Sequence, residues 1–149
     1  MSPPLVYIDT SDVRQGALEE LKRAAGELAE FVEKNEPQLV SYSVHFSEDE
    51  SQVAFVHVHA DPASLDYHMD VAGPRFARFA DLLTLRSIHI YGEPSEKALV
   101  QLRAKVRLLG TGEVIVHSPR AGFSRFGLLE PWVTERVAFT RALPPKKKQ

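Results

Sequence analysis

An α+β fold with the element order βαββαβ is predicted by three features of this 149-residue chain. Alternating apolar and polar residues at Leu5–Asp9, Leu39–Phe46, Val53–Ala60 and Thr84–Tyr91 read as strands, whose successive side chains point to opposite faces. Segments of helical periodicity separate the first strand from the second and the third from the fourth. Only Ser47-Glu-Asp-Glu-Ser51 divides the middle two strands, which is short enough for a hairpin. That order is the split βαβ pattern of ferredoxin-like domains, one sheet with two helices on a single face.

Composition fits one soluble domain with a proper core: 44% of residues are apolar and 26% charged. A net charge of −2 argues against a general polyanion binder, and the basic run Lys146–Lys148 reads as a solvated tail. The absence of cysteine excludes disulfides, thiolate metal sites and cysteine nucleophiles. No apolar run reaches membrane-spanning length, and Met-Ser-Pro-Pro is no signal peptide, so a cytoplasmic protein is expected.

The first strand, bounded by Pro4 and Thr10-Ser11-Asp12, leads into a long helix. Asp12 and Gln15 have the spacing of a capping box, and Ala17, Leu18, Leu21, Ala25, Leu28, Phe31 and Val32 fall at helical spacing. Asn35-Glu36-Pro37 ends it. Pairing Ser47 with Gln52 sets Tyr42 opposite His57, Val44 opposite Phe55 and Val40 opposite His59. These six then share one face, and Ser41, Ser43, His45, Ala54, Val56, Val58 and Ala60 share the other. The second helix spans Pro62 to Leu83, with Asp61 as cap, Pro62 in the first turn and Gly73-Pro74 as a break.

The face carrying Tyr42, Val44, Phe55, Leu85 and Tyr91 is too apolar to be left in water, so a second copy is expected to cover it. The small-residue face is expected to lie under the helices, with His68 looking down onto it. Beyond Gly92, Ser95–Leu109 reads as an amphipathic helix closed by Gly110, with Lys97, Arg103, Lys105 and Arg107 on a solvated side. Glu113–His117 reads as a fifth strand, Ser118–Pro131 as a loop, and Trp132–Phe139 fits either strand or helix. The expected organisation is a ferredoxin-like domain over residues 1–92, an extension over 93–143 packed on it, and a disordered tail over 144–149.

Two segments carry a resemblance to a known family. Glu36-Pro37 followed by Tyr42 is similar to the Glu-Pro-Gly…Tyr lead into the second strand of antibiotic-biosynthesis monooxygenases, which are dimeric α+β barrels. Asp61, Ala63 and His68 match that family's Asp…Ala…His segment, where a strand runs into the second helix. The likeness covers Leu5 to Gly92. Gln38 departs from the family's Gly, and His57 and His59 stand where a Glu and an aromatic are common. The resemblance implies oxygenation of a small aromatic or quinol-type substrate without metal, flavin or haem, the protein supplying a pocket, a base and hydrogen bonds.

His68 is the catalytic candidate, because an imidazole can accept a proton at neutral pH. Ser41, Ser43, Val56, Val58 and Tyr42 are the substrate-binding candidates. His57-x-His59 has the spacing of a metal half-site; with a third ligand missing no metal is expected, and the resemblance implies no cofactor. Asp9 reads as part of a turn, while Trp132, Phe123 and Phe126 could form a lid or anchor the extension. For haem degraders of this fold the resemblance implies an Asn on the first strand and a Trp ten residues before the helix His; the first strand here has no Asn and that position is Val58, so haem degradation is disfavoured. Nucleic acid is disfavoured too, as Phe55 has no basic neighbours and Glu48-Asp49-Glu50 would repel phosphate. Two functions remain open: a monooxygenase-like enzyme, and a non-catalytic dimeric ligand-binding or stress-related module. A cavity of about 300 Å³ or more under the second helix favours the enzyme, and a filled core favours the module.

Overall fold

In the computed structural model, residues 3–126 are described. They form β1 (Leu5–Val13), α1 (Leu18–Asn35), β2 (Leu39–Phe46), β3 (Gln52–His59), α2 (Pro62–Ala72), a 3-10 helix (Gly73–Phe79), β4 (Leu83–Tyr91), α3 (Glu96–Leu109) and β5 (Gly110–His117). The five strands make one sheet in the order β2-β3-β1-β4-β5. Its pairs are antiparallel apart from β4–β5, which is parallel. The α+β class and ferredoxin-like order are therefore as the sequence predicts, with α3 and β5 added at the β4 edge. Trp132–Phe139 and 144–149 lie outside the described residues.

Strand β1 continues past Asp9 to Val13. Asp12 consequently caps no helix. Its carboxylate takes Arg86 Nε at 2.5 Å and Gln52 Nε2 at 3.2 Å from the neighbouring strands. The turn into α1 falls at Gly16, whose φ of +80° suits a residue without Cβ. The Gly73-Pro74 break is real: α2 ends at Ala72 and the chain tightens into the 3-10 helix.

Both strand registers carry a correction. Tyr42 opposes His57 and Val44 opposes Phe55 as expected, but a bulge at Val40 brings Leu39 opposite His59. In β4 an irregularity between Leu85 and Ser87 shifts the alternation, so Ile88 and Ile90 face inward with Leu83 and Leu85. Tyr91 is thereby turned to the open face, away from Leu85.

The assignment of faces is reversed. Phe55, His57 and His59 are buried and Tyr42 and Val44 pack on the core, all on the side covered by Leu21 and Leu28 of α1, Leu65 and Met69 of α2, and Leu102 of α3. Ser41, Ser43, Val56 and Val58 point to the opposite, partly exposed face. Three helices need a floor of large side chains to close against, whereas Ala, Val and Ser would leave voids costing ~1 kcal/mol per missing methyl. Alternation sorts residues into two sets in either case, and does not say which set the helices cover.

The added strand needs two glycines. A Cβ on Gly110 would stand 2.2 Å from the Leu85 carbonyl oxygen, and one on Gly112 would stand 2.0 Å from that of Arg86. Backbone cannot yield as a side-chain tip can. Gly112→Ala is expected to lower stability by ~1–3 kcal/mol in thermal unfolding, by prising β5 off β4. An unchanged melting temperature would show that the strands separate at no cost.

Candidate functional site

The site is built where α2 leaves the sheet. Asp61 accepts the Ser64 N–H at 3.0 Å and caps the helix, and Pro62 occupies its first turn. The Ser64 hydroxyl bonds His59 Nδ1 at 2.8 Å, tying the helix start to the inner face of β3. His68 lies one turn beyond Ser64 on the same helix face, so it too points at the sheet. Its ring meets His57 edge-on at 4.8 Å between centroids and His59 at 5.7 Å. The expectation that His68 and the His57/His59 pair lie on opposite sides of the sheet is overturned with the face reversal. Among the described residues no three His, Cys, Asp or Glu side chains converge as metal ligands; the imidazoles pack edge to face.

Glu36 completes the first half of the site. It follows α1, is buried, and presents both carboxylate oxygens to His68 Nδ1 at 2.9 Å. A carboxylate there holds the proton on Nδ1 and leaves Nε2 as the free lone pair. His68 Nε2 is buried with no hydrogen-bond partner among the described residues. This is the arrangement of a base oriented by an acid.

A second ionic group, which sequence reading missed, stands beside it. Lys105 Nζ donates to Asp9 Oδ2 at 2.9 Å and to the Tyr7 hydroxyl at 2.6 Å, with all three residues buried. Asp9 is thus mid-strand on β1, not part of a turn. Lys105 is not on the solvated side of α3; it shares the stripe of Leu102 and Leu109. That signal was in the chain, because positions 102, 105 and 109 are helical neighbours.

Burial tunes the remaining groups. It pushes His57 well below its ordinary value, helped by His68 and Lys105, and lowers His59 to about 3, so both are neutral at pH 7. It pushes Tyr7 and Tyr42 well above the usual phenol range, with nearby Asp9 adding to the effect. Both phenols stay protonated.

Asp9, Ser11, Tyr42, His57, His68 and Lys105 border one internal cavity of about 20 Å³, walled also by Phe76 and Phe79. That is room for about one water, well short of a substrate pocket. Tyr42, expected on the face away from the helices, borders it because the faces are reversed. Ser41, Ser43, Val56 and Val58 do not, since they lie on the other face; Ser41 instead joins Tyr42 and Glu36 along a groove of about 500 Å³ between α1 and β2. Phe123 is 80% exposed and covers nothing, and Trp132 lies outside the described residues.

Neither a family model nor a curated protein matches the chain. Solved structures do. MupZ from Pseudomonas fluorescens superposes with a TM-score of 0.64 at 17% identity, covering 83% of this chain and 96% of MupZ. PA3566 from Pseudomonas aeruginosa is 27% identical with a TM-score of 0.50, over 60% of this chain and 91% of its own. SnoaB from Streptomyces nogalater, a cofactor-independent oxygenase, gives 0.53 at 15% identity, over 63% and 96%. The chain shares the ferredoxin-like α+β fold of these proteins. Matches near 60% are the size of the βαββαβ core, whereas the MupZ match must include part of the α3–β5 extension. The ferredoxin-like core supplies Glu36, Tyr42, His57 and His68, and the extension supplies Lys105.

Proposed function

We propose that the protein is a cofactor-independent monooxygenase-like enzyme acting on a small aromatic or quinol-type substrate, with His68 as its base. The carrying observation is the buried Glu36–His68 pair, which leaves Nε2 unpartnered at an internal cavity. His68 removes a proton from the substrate, Glu36 stabilises the resulting imidazolium, and the electron-rich anion reacts with oxygen. One oxygen atom enters the substrate as a carbonyl and the other leaves as water, the substrate's own C–H and O–H electrons balancing the reduction. Tyr42 borders both the cavity and the α1/β2 groove. Its displacement joins the two spaces, and the substrate site is that joined volume.

The face of Tyr42, Val44, Phe55 and Leu85, expected to meet a second copy, is covered by the helices instead, and the opposite, open sheet face supports a homodimer. Val6, Ile8, Val56 and Val58 are only partly covered within one chain, and Tyr91 is 44% exposed. Val56→Glu is expected to convert a dimer into a monomer in analytical ultracentrifugation. A monomeric wild type rules the dimer out.

The second reading, a non-catalytic dimeric module, is favoured by the cavity volume of about 20 Å³. Oxygen uptake separates the two. Across a panel of hydroquinones and polycyclic phenols, wild type is expected to consume oxygen at least ~100-fold faster than His68→Gln. Equal rates for the two proteins, or no uptake with any substrate, leave only the module.

A further inference from the structure

Lys105 sits in the core, 8% exposed, on a helix that otherwise buries Ala98, Leu102, Val106 and Leu109 there. An ammonium so placed costs several kcal/mol to desolvate, and a Met of similar length would fill the space without that cost. Its pairing is also incomplete. An ammonium has three donors, and the Asp9 carboxylate and Tyr7 hydroxyl take one each. The next electron-rich group is the Phe76 ring, 4.2 Å from Nζ. The same cavity that Lys105 borders also holds unpartnered polar atoms of Ser11, His57 and His68. Buried polar atoms are rarely left unpaired, and here three residues that carry them line one cavity.

We propose that Lys105, held by Asp9 and Tyr7, is the oxyanion-binding group of this site, and that its ligand is the ionised oxygen of a phenol or enol. The proposal rests on the reading of His68 as the base and names what receives the negative charge that base creates. The charges balance within the site. Before proton transfer, Lys105 is matched by Asp9 and His68 is bonded to Glu36. Afterwards the imidazolium is matched by Glu36, and the substrate oxygen shares Lys105 with Asp9. No net charge is added to the interior, which is what makes ionisation inexpensive there.

A chromophoric phenol tests this directly, because 4-nitrophenol and its phenolate absorb at different wavelengths. Mixed with wild type below the probe's own pKa, the bound probe is expected to show the phenolate band. Lys105→Met is expected to bind it as the neutral phenol and, above the probe's pKa, to bind added phenolate ~10–100-fold more weakly. His68→Gln is expected to lose the band below that pKa yet retain phenolate binding above it. Lys105→Arg, which keeps the charge, is expected to restore the band. The Asp9→Asn/Lys105→Met double variant repeats the Met measurement without an unpaired buried carboxylate, and circular dichroism reports its folding. A phenolate band in the Met variants as strong as in wild type overturns the proposal, leaving Lys105 a structural ion pair and the base reading intact. Probe bound to wild type only as the phenol also overturns it. No binding to wild type at any pH removes the ligand site itself, and the base reading falls with it.

Discussion

Lys105→Ala is expected to destabilise the protein by ~3–5 kcal/mol in urea unfolding, the cost of stranding one partner of a buried ion pair. Asp9 would remain in the interior with its cation gone, and the Tyr7 hydroxyl would lose its 2.6 Å contact. Removing both charges is a different change. Asp9→Leu with Lys105→Met is expected to recover most of the loss, because two apolar side chains replace two desolvated ions. Lys97→Ala makes the control: its pair with Asp70 is exposed, and the unfolding midpoint should not move. Equal losses from the single and double variants would show that the pair contributes through packing alone. The test matters to function because a pair that stabilises less than its apolar replacement is retained for some other reason.

Acid is expected to unfold the protein early, with two histidines setting the slope. His59 has a folded-state value of about 3 and His57 lies well below its ordinary value, whereas both return to about 6.5 when unfolded. The unfolded chain therefore takes up protons first as pH falls. Stability is full above pH 6.5 and declines as pH falls, for His59 down to about pH 3, by ~1.4 kcal/mol per pH unit. At pH 5 His59 alone removes ~2 kcal/mol, and the depressed His57 adds to the loss. His57→Phe keeps a flat ring on Tyr7, which His57 now stacks at 4.0 Å. Urea titrations of that variant between pH 7 and pH 5 should show a shallower slope than wild type. An unaltered slope would mean that His57 is protonated in the folded state.

The order of elements was legible because it rests on local periodicity. The hairpin register also was, since Ser47–Gln52 closure and matched apolar residues both set Tyr42 against His57. Two bulges were not legible. Those at Val40 and Arg86 are properties of pairing between neighbouring strands, and an isolated strand carries no trace of that. Lys105 was misread for a related reason. Its charge suggested solvent, while its place between Leu102 and Leu109 put it inside, and only Asp9 across the core decides between the two.

Sequence alone determined which residues of β2 and β3 between Ser41 and Val58 share a face, and where α2 begins. Those follow from side-chain alternation and capping chemistry, both short-range properties. Tertiary structure decided which side of the sheet the helices cover, because the volume of their apolar stripes has to be met by large side chains such as Phe55 and Tyr7. From that one choice followed the meeting of His57 and His59 with His68, the burial of Asp9 with Lys105, and the placing of Ser41, Ser43, Val56 and Val58 on the open face.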